Sequence, residues 1–75
     1  MHHKLKILPQ YFSPIIEGRK TFEVRENDRG YQAGDTVEIC EWDAVNLYTG
    51  RVYKAKIGYV STFNQKDNWV VFSII

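Results

Sequence analysis

Polar and apolar residues alternate through Lys4-Leu5-Lys6-Ile7-Leu8, the period-two pattern of a strand with one buried face. Pro9 ends it. Tyr11, Phe12, Ile15 and Ile16 then recur at helical spacing, which predicts a short amphipathic helix near residues 12–17 closed by Gly18. Pro14 suits only a first turn, which keeps that helix short. Thr21-Phe22-Glu23-Val24-Arg25 alternates again, with Phe22 and Val24 on one side and Thr21, Glu23 and Arg25 on the other. Asn27-Asp28-Arg29-Gly30 and Gly34-Asp35 carry turn chemistry. Residues 36–42 read as a strand with Val37 and Ile39 on one face, and residues 43–50 as a loop. Residues 51–60 predict a long strand, with Tyr53, Ala55, Ile57 and Tyr59 opposite Lys54 and Lys56. Residues 61–68 are polar loop. Residues 69–75 are almost continuously apolar, which predicts a strand buried on both faces or closing a barrel.

Strand, helix, then four strands predicts a mainly β (α+β) fold. The expected form is a small, partly closed barrel of five strands with one short helix after the first. Closure would remove exposed edges, a hazard in a small sheet. Seventy-five residues, with no repeat or linker, make one domain over 1–75 and exclude a large multi-step enzyme. Eleven aromatic residues suffice for a dense core.

Ten Lys plus Arg oppose nine Asp plus Glu, a formal charge of +1. A bulk electrostatic nucleic-acid binder shows a larger basic excess, so any such contact must use local charge placement. Cys40 is the single cysteine. No intrachain disulfide or cysteine zinc site can form, and a reducing, cytoplasmic location is expected. No apolar run reaches the roughly 18 residues that span a membrane. There is no signal-peptide pattern. A monomer is expected.

The densest polar cluster runs from Gly18 to Arg29. On a strand, Thr21, Glu23 and Arg25 form a row of hydroxyl, carboxylate and guanidinium, with Lys20 able to swing over it. Such a row could hold a base edge, a phosphate or a polar small molecule. On composition alone a solvated outer face with one weak surface pair is the simpler reading. His2 and His3 point to opposite sides of a strand and make a poor metal pair, so no metal is expected and a frayed or packed edge is the simpler reading. His3 shares the parity of Leu5, which would set it over the barrel mouth. Cys40 reads as a small apolar filler. No P-loop, dinucleotide fingerprint or Ser-His-Asp order occurs, and no cofactor is expected. Trp42 and Tyr48 flank the 43–50 segment and are the better candidates for exposed base stacking.

Leu5-Lys6-Ile7-Leu8-Pro9-x-Tyr11-Phe12, then Gly18-Arg19-Lys20-Thr21-x-Glu23-x-Arg25-x-Asn27-Asp28-Arg29, then Gly34-Asp35, resemble the ASCH domains of the PUA-like superfamily. Glu41-Trp42-Asp43, Tyr48-Thr49-Gly50-Arg51 and Trp69-Val70-Val71 are similar to a short bacterial and phage branch of unknown function. The resemblance covers essentially the whole chain. It implies a PUA-like barrel with a cleft beside the first helix, lined by Lys20, Thr21, Glu23 and Arg25, and a role in binding RNA or a modified nucleoside. Asn27, Asp28 and Arg29 match that branch's extension of the block. One ASCH branch hydrolyses the amide of acetylated cytidine with a Lys, a Thr and a Glu. Lys20 aligns with that Lys, Glu23 stands where the Thr does, and the short 61–68 loop cannot supply the Glu.

Three functions follow. The first is an RNA- or nucleotide-binding module in which Arg19, Lys20, Arg25 and Arg29 contact phosphates, Glu23 and Asn27 bond base edges, and Trp42 or Tyr48 stacks. Thr21 and Asp28 complete its polar cleft. The second is a nucleoside amidohydrolase with Lys20 and Glu23 as candidate catalytic residues. The third is a protein-interaction module using an apolar patch around Trp42, Tyr48 and Phe63.

Overall fold

The N-terminal alternation forms β1 (His2–Ile7) in the computed structural model, which describes residues 1–75. His3, Leu5 and Ile7 are buried, while His2, Lys4 and Lys6 are exposed. Helix α1 (Pro9–Ile16) follows directly. It begins before residue 12 because Pro9 takes the first helical position, where a fixed φ fits and no N–H is needed. Pro14 lies inside the helix, where the amide it lacks would have met the carbonyl of exposed Gln10. Phe12 and Ile15 are the buried residues of α1. Gly18, at φ +79°, reverses the chain; its amide donates to the Ile15 carbonyl and the Arg19 amide to the Pro14 carbonyl.

Four strands complete the fold: β2 (Phe22–Glu26), β3 (Thr36–Asp43), β4 (Leu47–Ser61) and β5 (Trp69–Ile74). Their spatial order is β1-β3-β4-β5-β2. The β1–β3 pair is parallel and the others are antiparallel. The protein is thus mainly β, with five strands and one short helix after the first. No helix is long and apolar enough to cross a membrane.

The five-stranded mixed sheet is not closed: β1 and β2 are its edges, and no backbone ladder joins them. The edges nevertheless approach each other. Arg25 Nη2 donates to the Lys6 carbonyl at 2.9 Å, and Arg29 Nη1 donates to the Lys4 carbonyl at 2.6 Å. The Met1 carbonyl accepts from the Thr36 amide on β3. Backbone groups alternate in direction along a strand, so those of Lys4 and Lys6 point away from β3 and into the seam. Two guanidinium groups therefore stand where a closed barrel would have strand pairing.

The 15-residue β4 departs from the expected pattern twice. Residues 43–50 are not a loop, because Asp43 pairs with Leu47 and Trp42 with Tyr48, leaving a tight turn at 44–46. Asp43 Oδ1 accepts from the Val45 and Asn46 amides at 2.8 and 2.6 Å, which closes that turn. Further along, Ile57 pairs with Ile74 but Val60 with Phe72, so Gly58 and Tyr59 of β4 together oppose Ser73 of β5. This bulge reverses the side-chain parity. Val60 packs against the core, and Tyr59, expected beside Ile57, is 70% exposed.

The core gathers Leu5, Ile7, Phe12, Ile15, Tyr31, Val37, Ile39, Ile57, Val70, Phe72 and Ile74. β5 is not buried on both faces: Val70, Phe72 and Ile74 point inward, while Trp69, Val71 and Ser73 stay partly exposed. The helix packs against β3.

Candidate functional site

β2 is turned the opposite way from an ordinary amphipathic strand. Its apolar residues Phe22 and Val24 are 46% and 44% exposed, while Glu23 is 3% exposed. The polar row faces inward at Glu23 and Arg25, which excludes the solvated-face reading for these two. The fold tolerates an inward carboxylate because both oxygens are engaged. Lys20 Nζ donates to Glu23 Oε1, and Arg25 Nε donates to Glu23 Oε2 at 3.0 Å. Lys20 Nζ also donates to the Phe22 carbonyl at 3.0 Å. It lies 5.1 Å from the Phe22 ring centre and 5.9 Å from that of Tyr11, within cation–π range. One lysine thus ties helix α1, β2 and the buried carboxylate together.

This cluster borders a cleft of about 550 Å³ at the seam between β1 and β2. That volume lies in the range of small-ligand sites. Lys6, Ile7 and Leu8 line one side, Phe22 through Glu26 line the other, and Asp28, Arg29, Tyr31 and Trp69 complete it. Four cations, three carboxylates and three aromatic rings besides Phe22 therefore share one concavity. Tyr31 is buried; burial raises its phenol pKa above the ordinary 10, opposed by nearby Arg29 and Arg25.

The structure unites only part of the expected site. Lys20, Glu23, Arg25, Asp28 and Arg29 line the cleft. Thr21 precedes β2 and is exposed. Arg19 is exposed and turned to Glu17, at 2.7 Å between Nη2 and Oε1. Asn27 serves the turn: its Oδ1 accepts from the Tyr31 amide at 2.9 Å, and its own amide donates to the Asn68 carbonyl at 2.7 Å. Its side chain is thus held by the turn, and Asn27 is not among the residues that line the cleft. Trp42 and Tyr48 lie side by side across the β3–β4 hairpin, outside the cleft. Of the proposed apolar patch, Tyr48 and Phe63 are exposed, while Trp42 is half-buried.

Sequence reasoning missed Lys6, Tyr11, Tyr31 and Trp69 as cleft residues, because they reach it from β1, α1, the segment between β2 and β3, and β5. It also missed two inward carboxylates. Glu41 is buried and accepts from Thr49 Oγ1 at 2.7 Å and Arg51 Nη1 at 3.5 Å. Its parity with Val37 and Ile39 was the available signal. Asp35 accepts from His3 Nε2 at 2.8 Å and from the Met1 ammonium at 2.9 Å. The His3 bond, then the ammonium, hold its carboxyl down to about 2. His3 is buried on the edge strand β1, packed rather than frayed or set over a barrel mouth, and meets the Tyr31 ring edge-on at 4.8 Å between centres. No group of three or more His, Cys, Asp or Glu side chains is placed to hold a metal ion.

Among known proteins, the chain is similar to an uncharacterized 12.9 kDa protein in the GpA 3′ region of Escherichia phage P2. The two are 40% identical over 55 residues, which is 73% of this chain and 50% of that protein. The chain therefore spans half the length of that relative. Residues 2–74, nearly the entire sequence, match a single family model, and the chain belongs to the family described as "Domain of unknown function (DUF3850)".

Proposed function

We propose that this is an RNA- or nucleotide-binding domain of the ASCH, PUA-like type, working in the cytoplasm, whose ligand enters the cleft between β1 and β2. The observation that carries this reading is the buried Glu23, held by Lys20 and Arg25 at the wall of a 550 Å³ cleft that also holds Tyr11, Phe22 and Trp69. Rings offer stacking surface to a base, and cations offer partners to its phosphate. Lys20, Phe22, Glu23 and Arg25 of the Gly18-to-Arg25 block line a cleft that Tyr11 of the first helix also lines, and the ASCH resemblance expects a cleft beside that helix. Each oxygen of Glu23 already accepts a charged donor, which suits fixed binding geometry better than proton transfer. This favours a binding module over an amidohydrolase.

The test is an NMR titration with the four nucleoside 5′-monophosphates, modified nucleosides and short RNAs. Binding should shift the amides of residues 6–11 and 20–29. Absence of shifts there with every ligand overturns the reading. Incubation with acetylated cytidine runs in parallel; product formed by this chain and lost in Lys20→Ala would favour the enzyme instead.

A further inference from the structure

Lys6 serves two surfaces. It lines the cleft, and its Nζ lies 4.6 Å from the centre of the Trp42 ring on the outer side of the sheet. Lys4 Nζ lies 5.7 Å from the centre of the Tyr48 ring on that same side. Strand register extends this surface. Lys4 is beside Glu38, which is beside Lys54; His2 is beside Thr36, which is beside Lys56. Lys54 and Lys56 point outward, opposite the inward Ala55 and Ile57. Two strand spacings separate them from β1, roughly 10 Å.

No salt bridge engages the lysines of this face. The ion pairs of the protein engage Arg19, Lys20, Arg25, Arg29 and Arg51. Lys4, Lys6, Lys54 and Lys56 are in none of them. Glu38 is the one carboxylate in these rows, and His2 Nε2 approaches it at 3.1 Å. A total charge of +1 thus hides four unpaired lysines on one face. Two of them lie over aromatic rings, and one of those rings, Tyr48, is exposed, so a phosphate partner and a ring within reach of a base stand side by side.

We propose that the outer face of β1, β3 and β4 is a track for a single-stranded polynucleotide, joined to the cleft through Lys6. This rests on the nucleotide reading of the cleft and names its ligand as a strand rather than a free nucleoside. The rings favour a polynucleotide over an acidic peptide, because bases stack and carboxylates do not.

The test compares nucleoside 5′-monophosphates, measured by NMR, with eight-nucleotide single-stranded RNA and DNA, measured by fluorescence anisotropy over a range of salt. The variant is Lys54→Ala with Lys56→Ala, both distant from the cleft, with circular dichroism to check its fold. At least one octamer should bind at least tenfold more tightly than the monophosphates. The variant should lose that advantage and keep monophosphate affinity, and its log–log salt slope should fall by about 1.4. Octamer binding unchanged by the variant, octamers no tighter than monophosphates, or equal binding of an oligoglutamate overturns the track. If monophosphates fail while octamer binding still depends on Lys54 and Lys56, the cleft reading falls and the track stands.

Discussion

Arg25 Nη2 donates to the Lys6 carbonyl at 2.9 Å, across the gap between β2 and β1. The same guanidinium holds Glu23 through Nε at 3.0 Å. One side chain therefore joins the sheet edges and fixes the buried carboxylate. Arg25→Lys keeps the charge but cannot serve both acceptors with a single compact ammonium. It should lose about 1–3 kcal/mol, the scale of a charge-assisted bond, and accelerate hydrogen exchange of the β1 and β2 amides. Denaturant midpoints and exchange rates check this. Exchange increased uniformly over the whole chain, with no excess at the seam, counts against the latch.

Glu23→Gln should be more damaging than its small change in shape suggests. Lys20 and Arg25 would then share no anion in a partly enclosed site. Breaking a fully buried pair costs about 3–5 kcal/mol. Lys20 and Arg25 retain some solvent access here, with side chains 19% and 24% exposed, so about 2–3 kcal/mol is expected. A 75-residue domain has about 4–11 kcal/mol in all, so the loss should be plain in urea unfolding. The triple variant Lys20→Met, Glu23→Leu, Arg25→Met should recover part of it, because no uncompensated charge remains.

Acid stability should depend on Asp35. Its folded carboxyl lies near 2, below its ordinary 3.8, because His3 donates to it and the Met1 ammonium adjoins it. A depressed folded value contributes stability that is complete above the unfolded value and is lost as pH falls toward the folded one. The loss should fall between about pH 4 and pH 2. Unfolding midpoints at pH 6, 4, 3 and 2 should show a steeper decline for this chain than for Asp35→Asn. Parallel curves would assign the acid response to other carboxylates.

Gly58 sits in the β4 bulge against β5. A Cβ there would meet Ser73 Oγ at 2.8 Å and Ile75 Cγ2 at 3.3 Å. Ser73 Oγ accepts the Tyr59 amide at 2.9 Å, so it cannot turn aside without losing that bond. Gly58→Ala should cost about 1–3 kcal/mol, as overpacking does. The cost should shrink when Ser73→Ala is added, and a thermal double-mutant cycle measures the coupling. Strictly additive effects would place the strain elsewhere.

Local features were legible where burial followed composition. Leu5, Ile7, Val37, Ile39 and Ile57 alternate with polar residues and pack as that alternation requires. Lys20, Glu23, Arg25, Asp28 and Arg29 were legible as candidates because they crowd one short stretch, and all five line the cleft. Tyr59 was misread because one extra residue in β4 reverses parity, and a bulge has no reliable pattern in a single strand. The partners of the cluster were illegible for another reason. Lys6, Tyr11, Tyr31 and Trp69 are brought there by the packing of β1, α1, the segment after β2 and β5, which no local spacing encodes.

By itself the sequence determined a mainly β fold with a short helix after the first strand and a dense charged block between helix and turn. Those follow from local rules: period and turn chemistry. Only the tertiary structure decided that Glu23 points inward and Phe22 outward, since alternation separates two faces without saying which is covered. It also decided that the near-neutral charge is unevenly spread. The arginines and Lys20 are paired, while Lys4, Lys6, Lys54 and Lys56 stand unpaired on one face. A total charge sums over positions, and electrostatic recognition depends on where in space the unpaired ones lie.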